Sequence, residues 1–126
     1  MKLGLDIHGI ITEIPKVLSV ITELLVKNGH EVHILTGETI SDELKKELEE
    51  WQIHYTHLFS IIDYQDKMGI EIIYEENGPW IDGYVWDKTK GDYCSKHKID
   101  LMIDDSMRYG KYFTTPFIFS QIIVKE

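Results

Sequence analysis

Apolar residues along this chain come in short bursts, and the bursts alternate between two periods. Lys2 to Ile7 (KLGLDI) is an apolar run ending at an acid and reads as a buried strand. Pro15 stands at a first helical position, and Val17, Leu18, Ile21, Leu24 and Leu25 then recur at helical spacing until Asn28-Gly29. A helix is expected over 14–28, stopped by that pair. His30 to Thr36 (HEVHILT) is a second strand, closed by a hydroxyl residue. Ser41 is an N-cap for a second helix, with Leu44 and Leu48 as a sparse apolar stripe. Ile53 to Phe59 reads as a third strand, and Ser60 to Met68 is ambiguous between a short helix and a loop. Glu71–Tyr74 and Trp80–Val85 flank Asn77-Gly78-Pro79, whose turn chemistry predicts a β-hairpin. Asp87 to His97 forms a further helix. Ile99 to Asp104 (IDLMID) is a fourth strand, again ending in acids, and Phe117 to Phe119 a fifth, which Ile122 to Val124 extends or follows.

Strands that alternate with helices predict an α/β fold: a three-layer, Rossmann-like, doubly wound parallel sheet with a small β-hairpin insertion at about 70–86. Right-handed crossovers leave few topologies, and in such sheets ligands bind beyond the carboxyl ends of the strands. Here those ends carry Asp6, Thr36, Asp104 and Asp105. Separate strands thus deliver polar residues to one edge. The 126 residues contain neither repeats nor low-complexity linkers, so residues 1–126 are expected to form a single domain.

Composition narrows the partners. A chain with 43% hydrophobic residues and a single cysteine builds its core without disulfides, and a reducing, cytoplasmic setting is the expectation. Met1 to Ile11 is interrupted by a lysine, an aspartate and two glycines, so neither a targeting segment nor a membrane span is expected there. The formal charge of −9 disfavours nucleic acid and anionic membranes, and the densest basic run (Lys88, Lys90, Lys96, Lys98) is interleaved with Asp87, Asp92 and Asp100. An anionic ligand would need a focused positive site, which a bound divalent cation can supply.

The strand-end residues suit phosphoryl chemistry. A carboxylate such as Asp6 can attack phosphorus and form an acyl-phosphate, and Gly9 permits a sharp turn with close ligand approach. Asp104 and Asp105, meeting Asp6 at one point, would repel one another unless a hard cation such as Mg²⁺ relieved them. Thr36 and neighbouring N–H groups could hold a phosphate oxygen. A lysine from the helix before the last acidic strand could neutralise phosphate and nucleophile together.

In that order, Leu3–Thr12 (LGLDIHGIIT), His33–Gly37 (HILTG), Lys90 and Leu101–Ser106 (LMIDDS) resemble the ordered motifs of the haloacid dehalogenase superfamily, over nearly the whole chain. The resemblance implies a small, capless phosphatase with the hairpin as a miniature cap. It implies that Asp6 is the nucleophile, that Thr36 and Gly37 bind the phosphoryl group, and that Lys90 is the third-motif lysine, with Lys88, Lys96 and Lys98 as rivals. It implies Mg²⁺ held by Asp6, the backbone carbonyl of His8 and Asp104, with Asp105 as an outer or water-mediated ligand. The substrate would be a small phosphorylated molecule, a nucleotide or another metabolite, and homo-oligomerisation is an option because capless members resemble proteins that cover their sites that way. A bacterial receiver domain uses similar residues in a different chain order and is set aside.

One position departs from the family pattern. The second motif-one aspartate, the usual general acid/base, is His8 here. An imidazole with an ordinary pKa of ~6.5 needs less tuning than a carboxylate at ~3.9 to donate a proton near neutrality, although a nearby Mg²⁺ would depress it. The alternatives are slow turnover, or a catalytically impaired module that binds phosphate, metal or a partner. His30, His33, His54 and His57 suggest zinc at first sight, but no cysteine or carboxylate completes a recognisable spacing, and ordinary histidines are expected. Cys94 is expected to be a packing residue, and the aromatics Tyr74, Trp80, Tyr84 and Trp86 core or contact surface, with base stacking as a minor option.

Overall fold

The computed structural model describes residues 1–123. Its elements run β1 (Lys2–Leu5), α1 (Pro15–Lys27), β2 (Glu31–Thr36), α2 (Asp42–Glu50), β3 (His57–Ser60), α3 (Ile61–Lys67), β4 (Ile73–Glu75), β5 (Gly78–Trp80), α4 (Gly83–His97), β6 (Leu101–Asp104) and β7 (Phe117–Phe119). A π-type turn at Ile7–Ile11 follows β1, and a 3-10 turn at Met107–Tyr112 follows β6. Five strands pair in the order β3-β2-β1-β6-β7, and every pairing is parallel. β4 and β5 form a separate antiparallel hairpin.

Burial on both faces explains the sequence of the central strands. Val32 to Thr36 are buried without interruption, as a parallel strand covered on each side requires. One apolar cluster joins Leu3, Leu5, Val32 and Ile34 to Leu18 of α1 and to Leu44 and Leu48 of α2. A second joins Leu35 and Met102 to Cys94 of α4, with Phe59, Tyr93, Phe113 and Phe117 packed against it. The architecture is therefore an α/β sheet flanked by helices, consistent with a Rossmann-like fold. None of the helices among the described residues is long and apolar enough to cross a membrane.

Local chemistry sets the boundaries, and some differ from the sequence reading. Ser41 Oγ accepts from the Leu44 N–H (3.1 Å) and Ser60 Oγ from the Asp63 N–H (3.1 Å), so both helices begin on hydroxyl caps. Gln52 takes a left-handed conformation (φ 56°), and the Ile53 N–H returns to the Leu48 carbonyl at 2.9 Å. That closure of α2 absorbs Ile53 into the core and delays β3 to His57. The hairpin turns at Glu76-Asn77, with Glu75 opposite Gly78, rather than over Asn77-Gly78-Pro79. Tyr84 and Val85 are helical, because Asp82 Oδ1 accepts from both of their N–H groups and starts α4 four residues earlier than expected. Lys98 (φ 55°) caps α4 at its other end, so β6 begins at Leu101 rather than Ile99. Gln121 to Ile123 form no strand, and Val124 lies outside the described residues.

The apolar stripe of α1 is the largest correction. Leu18 is buried, but Val17, Ile21 and Leu24 are 52%, 41% and 55% exposed. Thr22 takes the core position between them, because its hydroxyl donates to the Leu18 carbonyl (2.6 Å) and accepts from the His54 N–H (3.1 Å). Leu18→Ala is therefore expected to destabilise the fold by about 2–5 kcal/mol, and Leu24→Ala by less than about 0.5 kcal/mol, in urea titrations followed by circular dichroism. Equal losses at the two positions would contradict this packing.

Candidate active site at the carboxyl ends of the strands

β1 has β2 on one side and β6 on the other, so the chain order reverses across the β1–β6 pair. A crevice opens at such a reversal, beyond the carboxyl ends of the two strands. Register carries Asp6 into it. Leu5 lies opposite Ile103, and the Asp6 N–H donates to the Ile103 carbonyl at 3.1 Å, which brings Asp6 alongside Asp104.

The turn after Asp6 is anchored from below by Ile7, Ile10 and Ile11, all buried. Gly9 sits at φ 87°, and its N–H donates to Thr12 Oγ1 at 3.0 Å. A Cβ at Gly9 would overlap the Asp105 carboxylate, so only glycine permits both the backbone conformation and the approach of that side chain. Asp6, Asp104 and Asp105 each place a carboxylate oxygen within 4.8 Å of the other two. Asp104 is fully buried, and its Oδ1 accepts from the Ser106 N–H at 3.0 Å.

Lys90 reaches this cluster from α4. Its buried ammonium donates to Asp6 Oδ1 at 3.0 Å and to Asp104 Oδ2 at 2.7 Å. Lys88 lies over the Tyr84 ring, Lys98 caps α4 and Lys96 borders a different cleft, so of these four lysines Lys90 alone meets the carboxylates. Burial raises the Asp6 carboxyl to about 7; the Lys90 charge pulls the other way and the Asp104 charge adds to the rise. Burial likewise opposes the Lys90 ammonium, yet the two carboxylates hold it above the ordinary lysine value. One buried cation between two buried acids leaves an excess negative charge, which either a proton on Asp6 or a divalent cation can neutralise.

The other sequence candidates are placed nearby. Thr36 is buried at the end of β2, and its Oγ1 accepts from the Glu38 N–H at 3.2 Å, so it shapes the loop while Gly37 and Glu38 reach the cleft wall. A Cβ on Gly37 would overlap the Trp86 indole. His8 lines the cleft with its side chain 69% exposed, and its Nε2 lies 3.5 Å from Glu38 Oε1. Cys94 is a buried packing residue, and burial pushes its thiol up to about 12.

The cleft encloses about 750 Å³, with Pro79 and Trp80 of the hairpin on one wall. Sequence reasoning missed Glu38, Arg108 and Tyr109 there, and assigned Trp86 to the hairpin. Trp86 donates from Nε1 to the Tyr109 hydroxyl at 2.7 Å, and Arg108 is paired with Asp87 at 3.0 Å over the Tyr109 ring. Two of these carried a signal. Glu38 directly follows the HILTG run, and Trp86 lies four residues before Lys90, on the same helix face.

No protein-family model matches the sequence, and no curated protein and no solved structure matches it. The chemistry of the cleft therefore rests on its own geometry. A divalent cation at the three aspartates must displace the proton from Asp6, so its apparent affinity should rise by up to tenfold per pH unit below about 7 and level off above. Calorimetric titration with MgCl₂ in buffers of different ionisation enthalpy is expected to show proton release on the acid side of that value. An affinity unchanged by pH across the same range would contradict the protonation of Asp6.

Proposed function

We propose that this chain is a Mg²⁺-dependent phosphohydrolase of the haloacid dehalogenase type, cleaving phosphate monoesters through an aspartyl-phosphate on Asp6. The observation that carries the reading is the buried Lys90 ammonium, shared between Asp6 and Asp104 at 3.0 and 2.7 Å in a crevice at the strand ends. The donor set fits the ion: three carboxylates of all-oxygen character converge where Gly9 leaves room for Asp105. Asp6, Asp104, Asp105 and the His8 carbonyl would hold it, and when bound it would supply positive charge to the phosphate oxygens.

The residues of the chain then divide the work. Asp6, ionised, attacks phosphorus in line while the ester oxygen leaves; water afterwards attacks the same phosphorus and frees the carboxylate. Lys90 favours the ionised form of Asp6 against its burial and offsets the charge that develops on the phosphoryl oxygens. His8 is the acid that protonates the leaving oxygen and the base that later takes a proton from water, and Glu38 orients its ring. Thr36 positions the Gly37 loop against the phosphoryl group. A cleft of this size, with Trp80, Trp86 and Tyr109 on its walls, suits a nucleotide or another small phosphometabolite.

In a phosphatase panel, activity is expected with Mg²⁺ and not with EDTA, and Asp6→Asn should lower it at least about a thousandfold. Metal-independent turnover, or turnover that survives Asp6→Asn, would sink the proposal.

A second reading, a catalytically impaired binding module, is favoured by one observation: the exposed His8 ring contacts Glu38 and not Asp6. His8→Ala and His8→Asp separate the two. If His8 is the acid/base of an active wild type, removing it in His8→Ala should cut kcat by about 10²–10⁴-fold, whereas the appearance of activity on His8→Asp in an inert wild type would establish the impaired module.

A further inference from the structure

The amino end of β2 carries a second constellation, apart from the carboxylate cleft. Glu31 and His33 are two residues apart on one strand and so share a sheet face. Parallel pairing sets His57 of β3 directly beside His33. Glu31 Oε1 lies 2.8 Å from His33 Nε2 and 3.8 Å from His57 Nδ1, and the three side chains offer donor atoms all within 4.8 Å of one another. The sequence reading found no carboxylate to complete a histidine set. Strand register supplies one, since spacing along the chain does not show that residue 57 adjoins residues 31 and 33.

We propose that Glu31, His33 and His57 form a binding site for a borderline transition-metal ion of the Zn²⁺ class. Two imidazoles and one carboxylate suit such an ion and not Mg²⁺, and three protein ligands leave a fourth position for water. Donors around Zn²⁺ at about 2.0–2.2 Å lie roughly 3.3 Å apart, a spacing that the 2.8 and 3.8 Å separations bracket. His33 is buried and already aimed. Its Nδ1 meets the Tyr93 hydroxyl at 2.7 Å, the outer partner that fixes a metal-binding ring, leaving Nε2 directed at Glu31.

One movement is required. The His33 and His57 rings are stacked, with centroids 4.0 Å apart and planes 3° from parallel, and parallel rings cannot both direct a lone pair at one ion. His57 must turn out of the stack. Its side chain is 46% exposed, and the Thr56 hydroxyl meets the same Nδ1 at 2.8 Å, a contact that metal binding would exchange for the ion. Glu31 is also partly exposed, so the ion has an entry path and the ligand that must move faces solvent. Lys2, whose charge acts on Glu31, is tied by Nζ to the His97 carbonyl at 3.1 Å. Occupancy would clamp β3, an edge strand, to β2.

The test is calorimetric titration of ZnCl₂ into the full chain in excess MgCl₂, with His57→Ala, Glu31→Gln and Asp105→Asn in parallel. Wild type and Asp105→Asn should bind one Zn²⁺ alike, and His57→Ala and Glu31→Gln should each weaken binding at least about tenfold. Metal-free melting curves of the latter two, both altered at partly exposed side chains, confirm that they fold. Absence of Zn²⁺ binding, binding indifferent to His57→Ala and Glu31→Gln, or binding lost with Asp105→Asn would each overturn the site. None of these readouts depends on phosphatase activity, so the proposed reaction and this site stand or fall separately.

Discussion

An ammonium buried between two buried carboxylates is the constraint around which this molecule is arranged. Lys90 cannot leave Asp6 and Asp104 without stranding charge in the interior, and breaking a buried pair costs about 3–5 kcal/mol. The contact ties the residue after β1 to the consecutive pair α4 and β6 near the other end of the chain. It also fixes how α4 lies on the sheet, because the side chain that reaches the carboxylates must emerge from the same helix that packs Cys94 against Leu35 and Met102. Stability and chemistry are therefore in tension here. Burial raises Asp6, with the Asp104 charge adding to the rise, which is unfavourable for the isolated fold, and the excess negative charge is what would make the crevice attractive to a cation.

Small residues let the strands hold that charge cluster. Gly4 of β1 lies beside Met102 of β6, and a Cβ there would come within 2.6 Å of the Met102 sulfur. Gly91, one residue after Lys90, lies under the Tyr112 carbonyl, so α4 and the 3-10 turn approach closely just where Tyr109 meets Lys90. These contacts place Trp86, Tyr109 and Arg108 as a wall without using the loop after Asp6, whose shape is already committed to Gly9 and Asp105.

Much of this was legible in the sequence, for reasons that can be named. Asp6 and Asp104 stand at the ends of apolar runs too short to be anything but buried strands, and parallel strands of one sheet end on the same side. The α4 lysine was harder, since four lysines share the segment and only the spacing of Lys90 to Asp104, with room for a helix and a strand, favoured it; the structure brings Lys90 to the acids. What sequence could not give depends on pairing. The stripe of α1 misled because Thr22, a polar residue, is satisfied within the core while Val17, Ile21 and Leu24 are not covered by the described chain. Trp86 was misplaced because the Asp82 cap was not recognised, and the cap turned an expected strand into the first turn of α4.

β2 links the two ends of the molecule and separates two kinds of donor. Its carboxyl end, through Thr36 and Gly37, borders a cluster of oxygen ligands; its amino end carries Glu31 and His33 beside His57. At about 3.3 Å per residue the strand spans roughly 15–20 Å, enough that an ion at one end is screened from groups at the other. Ligand type then sorts ions where distance alone would not. Mg²⁺ would prefer the all-oxygen crevice and gain little from imidazole, while Zn²⁺ would favour the nitrogen pair. Under the two proposals, the acids that flank Lys90 would take the hard cation that phosphoryl transfer would use, and the histidines at the other end of the strand the borderline ion.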